Sequence, residues 1–483
     1  MARVTGRGGP ARRLLQLSPA AAAAPAWAVP VGNSRPARYR AAVDRLRAEY
    51  AAIPPGQPVR LAKPTSNLFR FTHASGRASV PGLDVSAFSQ VLCVDPGSRT
   101  AITGGMVTYE HLADATLRHG LMPMVVPQLK TITIGGAVAG VGIESSSHRY
   151  GLVHETVQEL EVLTGDGRVL ACTPDNEYSD LFFGLPNSYG TLGYALKVKA
   201  KAVPVRPRVH LQHRPFGDAA SFFKALERHC AAGDQDFVDG TVFAADRLYV
   251  TLARFADQTP ATSDYTFEKI YYRSIAEKRE DWLTTSDYLW RWDTDWFWCS
   301  KNLLAQNPIV RRIYGRDRLG SRTYSKIMRW NSRIGLTRRI ERLAGVHSES
   351  VIQDVDIPIE HAAEFLAFFL REIGILPIWI CPIAPGPNAQ RFTLYPMRRS
   401  LYVNFGFWDV VRRREAHPPG HFNRLVEREV DRLGGIKSLY SESFYSEGDF
   451  AERYGGTEYG ALKAKYDPGR AFPTLYEKCV LRS

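Results

Sequence analysis

The sequence has little cysteine for its length, six residues in 483, and these are scattered singly along the chain. No two of them form a CxxC pair, which argues against a zinc site. Their spacing also does not fit the disulfide framework of a small secreted domain. We therefore expect a protein of a reducing, cytoplasmic compartment that binds no metal.

Long hydrophobic runs are absent as well. No stretch of 18 apolar residues occurs, so no segment is predicted to span a membrane. The longest candidate, residues 20–31, contains two interior prolines and follows several arginines, which gives it some features of a signal or transit peptide. Because its apolar part is mostly alanine, we expect residues 1–35 to form a disordered extension instead.

The length and composition predict two folded domains. One hydrophobic core rarely organises 483 residues, and a hydrophobic content of 45% is typical of globular proteins. Residues 36–204 have the pattern of short strands and turns and end at a proline. Residues 205–483 alternate longer amphipathic segments, such as 221–230 and 360–373, with strands. This pattern indicates an α+β fold in which a second α+β domain follows the first.

Small residues are concentrated between positions 132 and 147. Main-chain N–H groups approach the pyrophosphate of a dinucleotide closely only where side chains are absent or small, and this stretch offers such a surface. The alternative is that its glycines serve ordinary turns. No GxGxxG run follows the first strand, so a Rossmann-type cradle is not expected.

Several sequence blocks occur in order through the first domain: PQL at 127–129, TIGG at 133–136, GIESSSHRYG at 142–151, DG at 166–167, DLF at 180–182 and GTLG at 190–193. This series resembles the PCMH-type FAD-binding domain of the vanillyl-alcohol oxidase superfamily. Residues 142–148, 376–382 and 471–473 are most similar to the Delta(24)-sterol reductases. A flavin reductase family that saturates 10-methylene-stearoyl chains of phospholipids has the same architecture. The similarity covers roughly residues 91–483.

The resemblance implies a PCMH-type FAD-binding domain over residues 36–204, a substrate or cap domain over 205–483, and a non-covalent FAD. The cofactor-binding residues would be Gly135, Gly136, Gly140, Gly142, Ser145, Ser146 and His148, with Gly190 and Gly193 near the adenine half. His148 has an alternative role as the cap of a turn. Residues 69–77 lack the glycine-rich first phosphate loop that is usual in the superfamily. Some relatives bond a histidine covalently in this region, but His73 lacks the surrounding glycines and is not expected to do so.

The resemblance further implies an FAD-dependent oxidoreductase that reduces an isolated carbon–carbon double bond of a lipid with electrons from NADPH. The substrate would be a 10-methylene fatty acyl chain of a phospholipid or the Δ24 bond of a sterol side chain. The arginine-rich, lysine-poor composition is typical of a GC-rich bacterial genome and favours the acyl chain, with a methyltransferase as partner. Two alternatives stay open: an FAD-dependent oxidase or dehydrogenase of an alcohol or sugar, and a non-catalytic membrane-associated binding protein.

Such a reduction needs a protonated acid in an apolar environment and aromatic faces that stabilise positive charge. Tyr440, Glu442 and Tyr445 supply both within one segment, and they are the predicted catalytic residues. If this segment is a strand, Tyr440 and Glu442 share a face and Tyr445 lies on the other. The alternative is an ordinary surface strand. Further candidates for the pocket wall, with core packing as their alternative, are Trp379, Tyr395, Tyr402 and Asn404.

The formal net charge of +13 is concentrated in one segment and is not arranged as a nucleic-acid recognition helix. Residues 291–342 contain thirteen Lys and Arg against four acidic residues, inside a basic aromatic insert at 286–345. Tryptophan and basic side chains favour the headgroup region of an anionic membrane, so this segment is predicted to dock at its inner face. The alternative is an aromatic core beside a solvated charged helix. The tryptophans concerned are Trp290, Trp292, Trp296 and Trp298.

Overall fold

The computed structural model describes residues 34–54, 56–63, 82–258, 260–334 and 345–481. The extension expected at residues 1–35 lies outside these ranges except for its last two residues, which begin the first helix. Residues 69–77, which stand in place of the usual glycine-rich phosphate loop and include His73, also lie outside the described residues.

The first domain consists of five helices and eight strands among the described residues. The helices are α1 (Ser34–Ala51), α2 (Tyr109–Leu117), α3 (Ile134–Ala139), α4 (Ser147–Tyr150) and α5 (Ser179–Gly184). The strands are β1 (Arg60–Ala62), β2 (Gly82–Asp84), β3 (Val91–Asp95), β4 (Thr100–Gly104), β5 (Leu121–Pro123), β6 (Val157–Leu163), β7 (Val169–Cys172) and β8 (Tyr194–Pro204).

An antiparallel sheet of order β3-β4-β8-β6-β7 forms the centre of this domain, with β5 paired to β8 and the short β1 and β2 forming a parallel pair of their own. Strand β8 alternates buried apolar residues with lysines on its outer face. There Lys197 forms ion pairs with Glu159 and Glu161 of β6. The alternation fixes the register because a slip by one residue would bury the lysines. The hairpin predicted from residues 159–172 is confirmed as β6 and β7.

The helix predicted after Thr108 is also confirmed. The Thr108 hydroxyl accepts a hydrogen bond from the His111 N–H at 3.4 Å, as expected of a helix N-cap. The glycine-rich stretch at 132–142 contains only the six-residue α3 between turns, in agreement with the expectation that it is not regular throughout.

The second domain contains nine helices and eight strands among the described residues. The helices are α6 (Ala219–Ala232), α7 (Tyr271–Glu277), α8 (Thr285–Leu289), α9 (Pro308–Tyr314), α10 (Ser321–Ile334), α11 (Ala362–Glu372), α12 (His421–Arg432), α13 (Glu447–Arg453) and α14 (Gly456–Tyr466). The strands are β9 (Arg208–Phe216), β10 (Phe237–Ala244), β11 (Arg247–Ala256), β12 (Glu280–Thr284), β13 (His347–Pro358), β14 (Ile378–Ile383), β15 (Tyr402–Arg413) and β16 (Ile436–Lys437).

These strands form one antiparallel sheet of order β12-β9-β11-β10-β14-β15-β13-β16. Helices α6, α11 and α12 cover one face with a core of Phe, Leu, Ile and Val side chains. Along β13, Val351, Val355 and Ile357 point into that core. Successive side chains of a strand point to opposite faces, so the residues between them face the first domain. The architecture is α+β, as predicted.

The end of the chain returns to the first domain, although the sequence grouped it with the second. Lys463 of α14 donates a hydrogen bond to the carbonyl of Thr191 at 2.7 Å, and Tyr466 donates one to Asp180 of α5 at 2.6 Å. The N–H of Val59 bonds to the carbonyl of Ala471 at 2.9 Å. These contacts join two parts of the chain that are far apart in sequence. Local sequence patterns therefore do not predict them.

Candidate functional site

A cavity of about 390 Å³ lies between the two domains and is lined by residues of both. The first domain contributes mainly small residues and backbone from α3 and its flanking turns. The second contributes aromatic side chains and two carboxyl groups from the face of its sheet that α6, α11 and α12 leave uncovered. The cavity therefore has a backbone-rich wall and an aromatic, acidic wall.

All six glycines that the sequence assigned to the cofactor line this cavity: Gly135, Gly136, Gly140, Gly142, Gly190 and Gly193. Protein packing already explains the absence of side chains at several of them. A Cβ on Gly135 would lie 2.7 Å from the carbonyl oxygen of Gly105. Gly190 has a φ of +79°, a backbone conformation that other residues rarely adopt. The glycines thus let α3 and the 190–193 turn pack closely while their backbone lines the cavity.

The structure does not bring Ser145, Ser146 or His148 to the cavity, contrary to the sequence-based assignment. All three are buried between the domains. The Ser146 hydroxyl donates to the carbonyl of Met124 at 2.7 Å. The ring nitrogens of His148 lie 2.8 Å from the Ser145 oxygen and 3.2 Å from the Gln235 oxygen. Their polar atoms are occupied by the protein itself, so this stretch forms part of the domain interface.

Backbone contacts support that interpretation. The N–H of Val238 in β10 bonds to the carbonyl of Ser145 at 2.9 Å. The N–H of Ala384, just after β14, bonds to the carbonyl of Ser147 at 3.1 Å. Small residues at 145–147 therefore allow one end of the central strands β10 and β14 to approach the first domain.

A buried ion cluster fixes one side of the cavity. Arg291 lies 3.1 Å from a Glu144 oxygen and 2.8 Å from an Asp239 oxygen, and all three side chains are almost completely buried. Glu144 also accepts a hydrogen bond from Gln128, and both of these residues line the cavity. Desolvation dominates at Asp239 and raises the pKa of its carboxyl to about 6.

Three buried oxygen atoms of residues that line the cavity have no hydrogen-bond partner in the described part of the chain, Gln128 Oε1, Asp354 Oδ1 and Asn404 Oδ1. An unpaired buried polar atom costs about 1–3 kcal/mol. Polar edges of a bound dinucleotide would satisfy such acceptors through N–H or O–H donors, and the adjacent glycine-rich backbone leaves room for it. The residues present therefore fit FAD. Arg60, Lys63 and Lys478 add basic side chains to the same lining.

A pair of aspartates on β13 lines the aromatic wall. Asp356 is fully buried and accepts hydrogen bonds from Tyr395 and Asn404, each at 2.7 Å. Burial raises the pKa of Asp356 to about 6 although these two donors oppose the shift. Asp354 is partly buried, and its Oδ1 has no partner among the described residues. Burial and then the charge of Asp356 raise the pKa of Asp354 well above its ordinary value.

Of the three predicted catalytic residues, only Tyr440 lines the cavity. Its hydroxyl accepts a hydrogen bond from the indole N–H of Trp408 at 2.8 Å and also bonds to Asp354. Glu442 lies outside the lining, where its carbonyl accepts a hydrogen bond from the Lys437 ammonium at 2.5 Å. Tyr445 is buried against Phe450.

The structure does not form the strand that was considered for residues 438–445. The strand β16 ends at Lys437, and only a single bridge follows in this segment. The chain turns at Tyr440, which directs this residue alone of the three to the cavity. Among the other wall candidates, Trp379, Tyr395 and Asn404 line the cavity, whereas Tyr402 does not.

The four tryptophans predicted to dock at a membrane are all buried, with exposed fractions of 8% or less. Phe297, between two of them, packs on Trp408 with ring centroids 4.3 Å apart and on Trp379 at 5.5 Å. Buried rings do not reach a bilayer, so the predicted docking surface made of these indoles finds no support. The alternative of an aromatic core fits instead, and part of that core lines the cavity. The tryptophans are Trp290, Trp292, Trp296 and Trp298.

Sequence reasoning missed Asp354 and Asp356. A signal was present, because two acidic residues alternate with Val355 and Ile357 in a strand that is otherwise apolar at its centre. Such an alternation places both carboxyls on one face of a strand whose other face is buried. The sequence alone does not show that this face of β13 closes a cavity.

Neither a membrane-spanning helix nor a metal-holding cluster occurs among the residues that the structure describes. None of the helices in this part of the chain is long and apolar enough to cross a membrane. Within the same ranges, no group of three or more His, Cys, Asp or Glu side chains is arranged to hold a metal ion.

Comparison with known proteins agrees with this site. Residues 65–173 match a family model described as an FAD binding domain. The human and mouse proteins named Delta(24)-sterol reductase are each 27% identical over 328 residues, which are 65% of this chain and 61% of the relatives' length. The pea protein of that name is 28% identical over 436 residues, 82% of this chain and 76% of its own length. The chain therefore contains a PCMH-type FAD-binding domain and is homologous to the Delta(24)-sterol reductases.

Proposed function

We propose that this protein is an FAD-dependent oxidoreductase that reduces an isolated carbon–carbon double bond of a lipid. The observation that carries the proposal is the second wall of the cavity. It combines aromatic rings with a carboxyl group, Asp354, whose pKa is raised by burial and by a neighbouring carboxylate. An uncharged acid beside aromatic faces is what protonation of an unactivated alkene requires.

The chemistry follows from the alkene. It has no carbonyl group to accept charge, so hydride cannot simply add to it as it does to an enone. Protonation of the less substituted carbon leaves positive charge on the tertiary carbon. Trp408, Trp379 and Phe297 offer ring faces at the wall where such charge would develop.

We assign the FAD to the glycine-lined wall, bound without a covalent bond. Its holders would be the backbone of α3 with the turns around it, together with Gly190 and Gly193. When bound and reduced, FAD supplies a hydride equivalent. NADPH is the proposed electron donor. Arg60 and Lys63, which also line the cavity, are suited to the charge of the pyrophosphate.

Two substrates share the required chemistry. The Δ24 bond of a sterol side chain is trisubstituted, and a 10-methylene fatty acyl chain carries a 1,1-disubstituted alkene. Both give a tertiary centre on protonation. The similarity to proteins named Delta(24)-sterol reductase supports the first. The arginine-rich composition supports the second substrate, the 10-methylene acyl chain, which a methyltransferase would supply.

The test uses anaerobic protein with bound FAD. NADPH should bleach the flavin absorbance, and addition of a sterol with a Δ24 bond or of a 10-methylene phospholipid should restore it. Mass spectrometry should show a lipid that has gained two hydrogens. If the flavin is instead reduced by an alcohol or sugar and reoxidised by oxygen, the protein is an oxidase. Purified protein without flavin absorbance, which does not take up added FAD, would indicate a binding protein.

We also propose that the protein contacts an anionic bilayer at its inner face, through a surface other than the buried tryptophans. Leu304, Ile309 and Ile313 are 69%, 71% and 75% exposed. The last two lie four residues apart on α9 and so share one face of it. Arg318 and Lys326 are exposed in the following segment, which gives this apolar surface a basic surround.

The position of this surface supports a route for a lipid. Trp296 lines the cavity and packs against Ala305, Leu319 and Tyr324 of the same segment. The segment that carries the proposed membrane surface therefore also packs against a residue of the cavity wall.

Vesicle flotation tests the surface. Wild-type protein should float with vesicles of phosphatidylglycerol and phosphatidylcholine and bind less to phosphatidylcholine alone. The combined change Leu304→Ser, Ile309→Ser and Ile313→Ser should reduce binding at least tenfold, since it removes several kcal/mol of apolar burial. Leu481→Ser is the matched control, because Leu481 is 60% exposed and lies elsewhere in sequence. Equal flotation of the triple variant and the control would eliminate this surface.

A further inference from the structure

We infer that Asp354 is the group that transfers a proton to the double bond, and that Tyr440 is the positioning residue that holds its carboxyl in place. This assignment rests on the proposed function, because a proton donor is needed only if an isolated alkene is reduced.

The fold sets the position of the acid. Asp354 and Asp356 are two residues apart on β13 and face the same side of the second sheet. Asp354 lies opposite Gly406 of β15 in the sheet register. A Cβ at Gly406 would come within 2.8 Å of Asp354 Oδ1, so the glycine leaves the space in which this carboxyl lies. Both carboxyls line the cavity.

The hydrogen bonds distinguish the two carboxyls. Asp356 receives a donor on each oxygen, from Tyr395 and from Asn404, and this arrangement stabilises its carboxylate form. Asp354 bonds to the Tyr440 hydroxyl, whereas its Oδ1 has no partner among the described residues. Of the two carboxyls, only Asp354 therefore has an oxygen that no described protein group engages. Asp356 has both oxygens committed to the protein.

The charges around the pair keep the proton on Asp354. The structure shows no ion pair between either carboxyl and a Lys or Arg in the part of the chain that it describes. Two adjacent carboxylates repel each other in a buried site, so the pair ionises once more easily than twice. Asp356, which has two donors, holds the negative charge more readily. Asp354 accordingly retains its proton, in line with the stronger rise of its pKa.

The proton transfer breaks the O–H bond of the Asp354 carboxyl, and the proton forms a C–H bond at the less substituted alkene carbon. Bound, reduced FAD would supply the hydride equivalent for the tertiary carbon and would itself be oxidised. The product has gained two hydrogens, one from the carboxyl and one from the flavin. Asp354 is left as a carboxylate and regains a proton from solvent through the cavity.

The Tyr440 hydroxyl orients the donor. It bonds to Asp354 on one side and accepts the Trp408 indole N–H at 2.8 Å on the other. This chain of contacts fixes the carboxyl relative to the aromatic wall. Removal of the hydroxyl leaves the acid in place but less well oriented, so Tyr440→Phe should retain the acid and lose part of the rate.

The experiment compares Asp354→Asn with Asp409→Asn. Asp409 lies on the neighbouring strand β15, outside the cavity, where it pairs with Lys301 at 2.6 Å. In Asp354→Asn with bound FAD, NADPH should still reduce the flavin normally. The rate of lipid reduction should fall by a factor of about 10²–10⁴, which is the typical contribution of a general acid. Asp354→Glu, which restores an acid, should recover part of the rate. Asp409→Asn should keep it.

Two further readouts test the assignment, and the first does not depend on turnover. The infrared band of a protonated carboxyl should be present in resting wild-type protein, absent in Asp354→Asn and retained in Asp409→Asn and Tyr440→Phe. In D₂O the wild-type product should carry deuterium at the less substituted carbon, which takes its hydrogen from an acid that exchanges with solvent. Normal lipid reduction by Asp354→Asn, or an unchanged infrared band, would overturn the assignment alone. A wild-type protein that reduces neither lipid would overturn the proposed function together with it.

Discussion

His154 illustrates what burial does to a single residue in this protein. Its ring packs edge-on against Phe392, with centroids 4.3 Å apart, and it is only 3% exposed. Its Nδ1 has no hydrogen-bond partner in the described ranges. Burial without a compensating partner lowers the pKa of this imidazole to about 3, so the ring is neutral at physiological pH.

This shift predicts an acid-dependent loss of stability. In the unfolded chain the histidine pKa is about 6.5, higher than in the folded protein, so the unfolded state binds the proton first. The stability is therefore complete above about pH 6.5 and falls by about 1.4 kcal/mol per pH unit below it. His154→Phe removes this contribution. Urea unfolding between pH 7 and 5 should show a flatter pH dependence for the variant, and parallel profiles would contradict the assigned shift.

At the scale of elements, helix α14 connects the end of the chain to the first domain. The Lys463 ammonium is buried and donates to the Thr191 carbonyl at 2.7 Å, to Asp467 at 2.5 Å and to the Phe472 carbonyl at 2.9 Å. Two residues on, Lys465 pairs with Asp180 at 2.7 Å but is half exposed. One helix thus contains a buried and a solvated cation in comparable ion pairs.

The two lysines should differ in their effect on folding. Lys463→Met leaves the buried Asp467 carboxylate without its cation, and breaking a buried ion pair in this way typically costs about 3–5 kcal/mol. Lys465→Met removes a solvent-screened pair and should cost less than about 1 kcal/mol. Denaturant unfolding of the two variants measures the difference. Equal losses would show that α14 does not depend on the buried contact for its attachment.

The aromatic insert shows that the sequence of one segment does not reveal whether its tryptophans lie at a surface or in a core. Tryptophans beside basic residues are compatible with a membrane surface and with a core, and local sequence does not distinguish these. The structure buries Trp292 against Phe297, with ring centroids 5.0 Å apart, and Phe297 in turn meets Trp408 of the opposite sheet. The Trp408 ring is more than a hundred residues away in sequence, so contact with a distant strand makes this segment part of the core.

At the scale of the whole molecule, the cavity belongs to both domains. Its glycine-lined wall comes from the first domain and its aromatic wall from the second. Further contacts between the domains are made by the backbone of residues 145–147 with β10 and with the segment after β14. A ligand held in this cavity is therefore expected to link the stabilities of the two domains.

Removal of FAD should thus destabilise both domains. A ligand at one hundred times its Kd adds about 2.7 kcal/mol to the folded state. Hydrogen exchange should show that added FAD protects amides of β6 in the first domain and of β13 in the second. The apoprotein should lose protection in both. If only β6 responds, the flavin does not bridge the domains, and the site would be confined to the first.

Most local elements were predictable from sequence because their signals are local. Thr108 as a helix cap, the β6–β7 hairpin and the glycines of the cavity wall were all identified in this way. Ser145 and His148 have the same small or polar character as a phosphate loop, yet they lie in the domain interface. Glu442 is acidic as the chemistry requires, but a turn at Tyr440 leaves it outside the cavity.

The sequence by itself determined the α+β class, the order of the FAD-binding blocks and the glycine-rich wall, because each depends on residues that are close in the chain. Only the tertiary structure decided which acid meets the cavity. Asp354 lies on a strand more than two hundred residues from Gly135, and its protonation depends on burial and on Asp356 rather than on its own sequence neighbours alone. Asp356 is close to Asp354 in the sequence, but the burial that raises both pKa values arises between elements and exists only once the two domains have closed around the cavity.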